Sequence, residues 1–583
     1  AADYEASLHG DERKANGVHY TPLSLARFLV GRALDQLESV PARVCDPTCG
    51  GGTFLLAAAD ALADRGVDPI EIVTERLFGA DIDTEALRVA ERVLIGWAEQ
   101  RSGKQVPMRT LPGLVSADLL VGAQNPWRGV RFDLIVGNPP FLSQLRSKTA
   151  RSAAVSTAMR DRFGPVSAYA DTASLILLGV VELLAPGGVV TMIQPQSFLS
   201  ARDTSVVRDA LLDSAQLIEV WSSDANFFDA SVRVCAVMLA SRDVDPEWDA
   251  GSVHPVVVKT ISGGPGPDRS AEVEAIWGGD ADELQNLSNA RTPIPSHGES
   301  WGPIFAAAVG LPRVKPTGGM RLGEIARATA GFRDEFYALV TACIEAPEIE
   351  TPEIGTAWSN GSNRPRLVTV GMVDPCFMTW GEVPRRLGGR ARLAPRLDLE
   401  SLEAENPSVH RWVKSRLVPK VLVATQTRII EVAADFRGDC VPVTPLISVE
   451  PTDGWESTIA GGFDTPPPNA PDLWWLVAAL SAPSLAVGSL SKHLGTGLSG
   501  GALRLSAKSV LELELPIDID WWARGAVAAQ AVATCEPSAR ASALAELGSA
   551  MCLAHGLEPD GELFAWWHER AVSSALTRGA RIV

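Results

Sequence analysis

At 583 residues the chain exceeds one ordinary domain, and two or three are expected. Its 46% apolar content excludes extensive disorder, and a net charge of −18 argues against a stand-alone nucleic-acid-binding module. The longest apolar stretch, around residues 174–185, is too short for a bilayer and contains Glu182, and residues 1–14 are polar with no signal-peptide core, so a soluble, cytoplasmic protein without membrane contact is expected. Within residues 1–250 helix-like and strand-like patterns alternate. A helical pattern over 23–37, with Pro22 at a first-turn position, precedes a short strand at 44–46 and a glycine-rich turn. A helix over 53–64, a strand at 77–82 and a helix over 84–97 opened by a Thr cap follow, then strands at 114–117, 132–137, 189–193, 217–221 and 232–239. Such β–α alternation predicts a mostly parallel, doubly wound sheet.

Beyond residue 250 the pattern changes. Residues 251–310 are rich in Gly, Pro and Ser and read as a connector. Residues 311–520 carry short strand-like runs and loops, a mixed α+β pattern, and residues 521–583 form an Ala-rich helical segment. The eight cysteines are scattered, with no C-x-x-C pair and no histidine at ligand spacing, so neither zinc nor a disulfide framework is expected, and no metal site is assigned.

The chemistry gathers at strand ends. Asp46-Pro47-Thr48-Cys49-Gly50-Gly51-Gly52-Thr53 joins the first strand to a helix; glycines there let backbone approach a ligand, beside the open N–H groups of a helix start. Asp81 ends the second strand, followed by Ile82, and a carboxylate so placed suits a ribose diol. Asp118, followed by Leu119, ends the third and can accept from the exocyclic amine of an adenine. Asn138-Pro139-Pro140-Phe141 ends the fourth, where two prolines stop the strand abruptly. An amide oxygen, a proline carbonyl and an aromatic face are what is needed to hold a planar –NH2 group on a ring. Open α/β sheets bind ligands at this edge.

Taken in order, Tyr20-Thr21-Pro22, Asp46 to Phe54, Ala80-Asp81-Ile82-Asp83, Ala117-Asp118-Leu119-Leu120 and Asn138 to Phe141 resemble the gamma-class amino-methyltransferases of DNA restriction–modification and phage-defence systems. The resemblance spans roughly residues 15–245. It implies a Rossmann-like, seven-stranded class I methyltransferase sheet, S-adenosyl-L-methionine as cofactor, and methylation of adenine N6 after the base leaves the duplex. By that resemblance Tyr20, Thr21 and Pro22 border the cofactor's methionine end, and Asp46 with the loop Thr48, Cys49, Gly50 and Gly52 holds its amino-acid group. Asp81 and Ile82 then take the ribose, Asp118 and Leu119 the adenine, and Asn138 to Phe141 the substrate amine. An aromatic opposite Phe141 is implied within Ala225-Asn226-Phe227-Phe228-Asp229, with Phe228 preferred to Phe227.

The second half is similar, more loosely, to the target-recognition regions of those enzymes, in Leu322-Gly323-Glu324-Ile325 and in the Gly/Ser-rich run 495–505 containing Arg504. A basic cluster, Arg385, Arg386, Arg390, Arg392 and Arg396, offers a local channel for double-stranded DNA on a chain whose acidity lies mostly in its first half, where residues 1–310 carry 26 basic and 39 acidic side chains. Other subunits of a restriction or defence system are the further partners implied. The competing readings are methylation of cytosine N4, an RNA base or a protein glutamine, and a cofactor-binding scaffold without activity.

Overall fold

The computed structural model describes residues 21–108, 110–121, 125–141, 153–164, 171–223, 233–242, 252–258, 292–306, 310–314, 317–331, 333–345, 364–492, 503 and 505–577. The chain divides into two units, Ala1–Val309 and Gly310–Val583.

In the first unit, helix α1 (Leu23–Leu34) buries Leu25, Ala26, Leu29, Val30, Ala33 and Leu34, a single stripe of a 3.6-residue repeat. It stops short of residue 37 because Gln36 and Leu37 bond back three residues, to Ala33 and Leu34, tightening the last turn. Pro22 is its N-cap residue rather than a first-turn residue. Strand β1 (Val44–Asp46) is fully buried, and α2 (Thr53–Asp64) starts from left-handed Gly52. After β2 (Leu77–Asp81), helix α3 (Thr84–Ser102) is capped not by Thr84 but by Asp83, whose carboxylate accepts from the backbone of Glu85 and Ala86. It runs past residue 97 to Gly103, whose left-handed conformation lets its N–H reach the Glu99 carbonyl at 2.9 Å.

Strands β3 (Leu114–Ser116) and β4 (Phe132–Gly137), helix α4 (Ala153–Phe163) and the apolar helix α5 (Thr172–Val181) follow. Strand β5 (Leu184–Pro195) is longer than its apolar run of 189–193, since both of its edges are paired, one to β4 and one to β7. Helix α6 (Ser205–Ser214), β6 (Ala215–Ser223) and β7 (Val234–Ser241) complete the seven expected strands. The sheet has two more: β8 (Ser252–Val258) and β9 (Thr292–Pro293), both from the stretch read as a connector. Backbone groups of β8 pair with the open side of β6, which extends the sheet without an amphipathic signal strong enough to read in a Gly/Pro-rich sequence.

The order across the sheet is β3-β2-β1-β4-β5-β7-β6-β8-β9. Strands β1 to β5 are mutually parallel, and β7 runs antiparallel to both its neighbours. The order reverses between β1 and β4, and that switch point positions the site.

The second unit holds two four-stranded sheets and a helical end. One sheet orders Ala326–Ala330, Ile447–Pro451, Lys420–Ala424 and Glu431–Asp435; the other Cys343–Glu345, Pro395–Leu397, Arg366–Val368 and Cys440–Pro442. Helical structure begins well before residue 521, with Leu473–Leu480 and Pro483–Lys492, and continues through Ile519–Thr534, Arg540–Ala554 and Glu562–Thr577. Trp522 ties these layers together, donating its indole N–H to the Trp475 carbonyl at 2.8 Å. Among the described residues no single helix is long and apolar enough to cross a membrane.

The first sheet contains a fully buried ion pair, Lys420 Nζ to Asp435 at 2.7 Å. Asp435 also accepts from the backbone of Gly438 and Cys440, and Arg366 pairs with neighbouring Asp439. Asp435, Asp439 and Cys440 lie close enough to hold a cation, but two side-chain cations already match the two carboxylates. Lys420→Met is expected to leave Asp435 buried and unpaired and to cost about 3–5 kcal/mol of stability, read from denaturant unfolding of the full chain.

Candidate functional site

The C-terminal ends of β1 and β4 lie side by side, paired in register through Val44–Leu134 and Cys45–Ile135. Beyond β1 the loop folds on its own side chains. Asp46, 2% exposed, accepts from the Thr48 N–H at 3.0 Å, an Asx-type turn. The Cys49 N–H reaches the Ala80 carbonyl of β2 at 2.9 Å, and the Gly50 N–H donates to Asp81 at 2.8 Å. The two left-handed glycines serve different neighbours. A Cβ on Gly52 would stand 3.0 Å from Ala90 of α3, whereas one on Gly50 would meet nothing within 4 Å. Gly52 therefore seats α2 against α3, and Gly50 turns a bare backbone toward open space.

Asp81 ends β2 with both carboxylate oxygens already accepting, from Gly50 and from Asp83 at 2.8 Å each. Each oxygen keeps a second lone pair for a hydroxyl. Burial raises its pKa, against the lowering pull of those backbone N–H groups. Ile82 next to it is 74% exposed, an apolar surface at the same edge. Asp118 lies past β3 and accepts from Leu120 at 2.8 Å and Val121 at 3.3 Å, closing its own turn. Leu119 is 7% exposed and faces Ile176 and Val180 of α5.

At the end of β4, Asn138 is half-buried and donates Nδ2–H to Thr21 Oγ1 at 2.9 Å. Pro139 is buried, Pro140 half-buried, and half-buried Phe141 packs against the core that α1 and α2 line. Gly137, which the motif reading passed over, joins the two halves. A Cβ there would stand 2.8 Å from Asp46 Oδ1 and 3.2 Å from the Met192 methyl. The signal was present in the sequence: a glycine closing an otherwise apolar strand leaves room for close approach.

Asp46 carries the electrostatics. Burial, reinforced by the charge of Asp81 and opposed by the Thr48 N–H, pushes its pKa up to about 8. Thr48 Oγ1 is buried with no hydrogen-bond partner among the described residues. A buried carboxyl short of positive charge, an orphaned hydroxyl and an open glycine backbone fit the amino-acid end of S-adenosylmethionine, which brings an ammonium, a carboxylate and a sulfonium. Tyr20, Phe227, Phe228 and Arg504 lie outside the described residues.

Of the basic cluster, Arg386 and Arg390 are exposed at the hairpin Arg385–Leu387/Arg390–Arg392. Arg385 donates to the Gly371 carbonyl, Arg392 pairs with Glu345 at 3.6 Å, and Arg396 donates to the Arg364 carbonyl and lies 5.0 Å over Trp380. Those three are tied to local structure.

Strand order, antiparallel β7 and a polar edge at the β1/β4 switch define a class I methyltransferase fold. The comparisons with known proteins agree. The N-6 DNA Methylase family model matches residues 4–253. The type II methyltransferase M.BanIII of Aneurinibacillus aneurinilyticus is 26% identical over 235 residues, 38% of this chain and 38% of its own length. M.MamI, a type II methyltransferase of Microbacterium ammoniaphilum, is 33% identical over 150 residues, 24% of this chain and 38% of its own length. The chain thus spans well under half the length of these relatives. The structure of the Type IIL restriction-modification enzyme MmeI in complex with DNA superposes with a TM-score of 0.51 at 12% identity, over 94% of this chain and 75% of that one. The DrdV–DNA complex gives 0.53 at 12% identity, over 92% and 59%. At such identity these two structures speak to fold alone.

Two outcomes follow from the site. Gly137→Ala is expected to push Asp46 off β4 and cost about 1–3 kcal/mol, read as a lowered melting temperature. For Asp46, a folded pKa near 8 lies above the ordinary 3.8, so its contribution to stability is present at low pH and is lost as pH rises toward 8. Asp46→Asn should therefore melt progressively higher than the parent as pH rises through that range. It should also bind S-adenosylmethionine more weakly.

Proposed function

We propose that the protein transfers the methyl group of S-adenosylmethionine to the exocyclic N6 of a flipped adenine in duplex DNA, as a modification enzyme of a restriction or defence system. The single observation that supports this most is the junction of Asn138-Pro139-Pro140-Phe141 with the Asp46–Gly52 loop at one switch point of the sheet. The cofactor supplies the electrophilic methyl; the chain supplies everything that makes the amine a competent nucleophile.

An aromatic amine is a poor nucleophile because its lone pair is conjugated with the ring. Accepting both N–H bonds, at Asn138 Oδ1 and the Pro139 carbonyl, favours a pyramidal nitrogen and stabilises the positive charge that develops on it. The target base must first leave the stack, at a cost of about a few kcal/mol. Stacking on Phe141 offsets about 1–3 kcal/mol of that. Asp46 and Thr48 bind the amino-acid group, and Asp81 the ribose hydroxyls. Tyr20, Pro22, Cys49 and Gly52 border the methionine end, Ile82 the ribose, Asp118 and Leu119 the adenine, and Phe228, outside the described residues, is the second stacking aromatic.

DNA contact is assigned to the second unit. Arg386 and Arg390 carry it first, being exposed and aligned along one hairpin. Arg385, Arg392 and Arg396, each tied to local structure, and Arg504, outside the described residues, are assigned secondary roles in the same contact. The double variant Arg386→Glu/Arg390→Glu should weaken DNA binding at every sequence and flatten the logarithmic salt dependence by about 2. Fluorescence anisotropy at several salt concentrations reads both.

The deciding experiment offers labelled S-adenosylmethionine to unmodified duplex DNA, RNA and protein in parallel, followed by nucleoside and amino-acid analysis. N6-methyladenine in DNA is the expected product. Label in N4-methylcytosine, in RNA or in glutamine would overturn the substrate, and no transfer to any would overturn the activity. Asn138→Ala should slow transfer by about 10²–10³-fold while cofactor binding stays nearly intact. Asp81→Ala should do the reverse, weakening the cofactor in calorimetry more than the saturated rate.

A further inference from the structure

Thr21 is buried, 6% exposed, and its Oγ1 receives the Nδ2–H of Asn138 at 2.9 Å, across 117 residues of sequence. A carboxamide has one donating and one accepting end, and its terminal torsion is soft and roughly two-fold. With the Thr21 hydroxyl accepting from the NH2 end, Oδ1 lies on the opposite side. Turned over, the same amide would point N–H groups at an incoming amine, removing an acceptor and adding repulsion.

The hydroxyl that receives this N–H is carried at the entry to α1. Thr21 precedes Pro22, whose ring restricts the chain and whose carbonyl accepts from Ala26 in the first turn of α1. Leu25 and Leu29 of that helix are buried in the same core against which Phe141 packs.

We propose that Thr21 is a positioning residue: its hydroxyl orients the Asn138 carboxamide so that the site presents an acceptor to the substrate amine. This inference rests on the amino-methylation reading and deepens it. It gives Thr21 a task on the substrate side, distinct from the cofactor border that the sequence resemblance implies.

The test compares Thr21→Val, which keeps the shape and removes the hydroxyl, with Thr21→Ser, which keeps the hydroxyl. Melting temperatures of both check that they fold. Thr21→Val should slow single-turnover methyl transfer to unmodified duplex DNA at saturating cofactor by about 10–100-fold, with the calorimetric cofactor Kd within about threefold and Thr21→Ser within about threefold of the parent rate. The double variant Thr21→Val/Asn138→Ala should be no slower than Asn138→Ala alone, because both changes remove one function. A weakened Kd with an unchanged saturated rate would make Thr21 a cofactor ligand and overturn the proposal; so would full additivity in the double variant.

A readout independent of activity separates this inference from its parent. With selective 15N-asparagine labelling, the Asn138 NH2 protons should exchange with solvent more slowly in the parent protein than in Thr21→Val. Equal exchange would overturn the positioning role, whereas slow exchange in a chain that methylates nothing would overturn only the proposed reaction.

Discussion

The constraint on which the site depends is the close approach of the Asp46 carboxylate to Gly137, where an added Cβ would stand 2.8 Å from Oδ1. β1 and β4 are neighbours only because the strand order reverses between them. Their C-terminal ends therefore bring the Asp46–Gly52 loop and the Asn138–Phe141 tetrapeptide to one place. With any side chain at residue 137 the carboxylate would have to move, and with it the turn that it holds through the Thr48 N–H. The loop is closed from the other side by the Gly50 N–H on Asp81. Three strand ends are thus connected through backbone N–H groups and two carboxylates, before any ligand is considered.

That arrangement is costly in the free protein. A carboxyl buried as deeply as Asp46, with Asp81 as a charged neighbour, holds its proton far above its ordinary range. The Thr48 hydroxyl has no partner among the described residues. Folding alone would favour apolar residues at both places. Their cost becomes intelligible if a cationic, hydrogen-bonding ligand completes the loop, since binding energy then stabilises groups that the fold leaves unsatisfied. Buried carboxylates elsewhere in the chain have cations, Glu219 with Arg32 in the first unit among them. Lys420 and Asp435 satisfy one another within the second unit, whereas Asp46 has no such cation among the described residues.

An overall charge of −18 is compatible with the proposed nucleic-acid substrate only if positive surface is local. The hairpin bearing Arg386 and Arg390 is such a place. Most of the other arginines in that stretch are held by Glu345, by backbone carbonyls or by the Trp380 face. A run of like charges in sequence therefore overstates the cation available to a ligand. Guanidinium groups are also the fork that ties loops to carbonyls.

Much of the first unit was legible from the chain itself. Apolar runs bounded by Gly and Pro marked β1, β2 and β4, and the polar residues ending them, Asp46, Asp81 and Asn138, could be named because a strand's last residue must project at the sheet edge. Local rules suffice for such features: periodicity, turn chemistry and the inability of proline to continue a strand. What they could not supply was partnership. That β8 and β9 join the sheet, that Asp83 rather than Thr84 caps α3, that Gly137 makes room for Asp46, and that Thr21 meets Asn138 are facts of residues far apart in sequence or of competing donors at one position. Close approach between distant segments is decided by how strands cross and which side chains fit between them. No local pattern encodes that, and only the folded arrangement determines it.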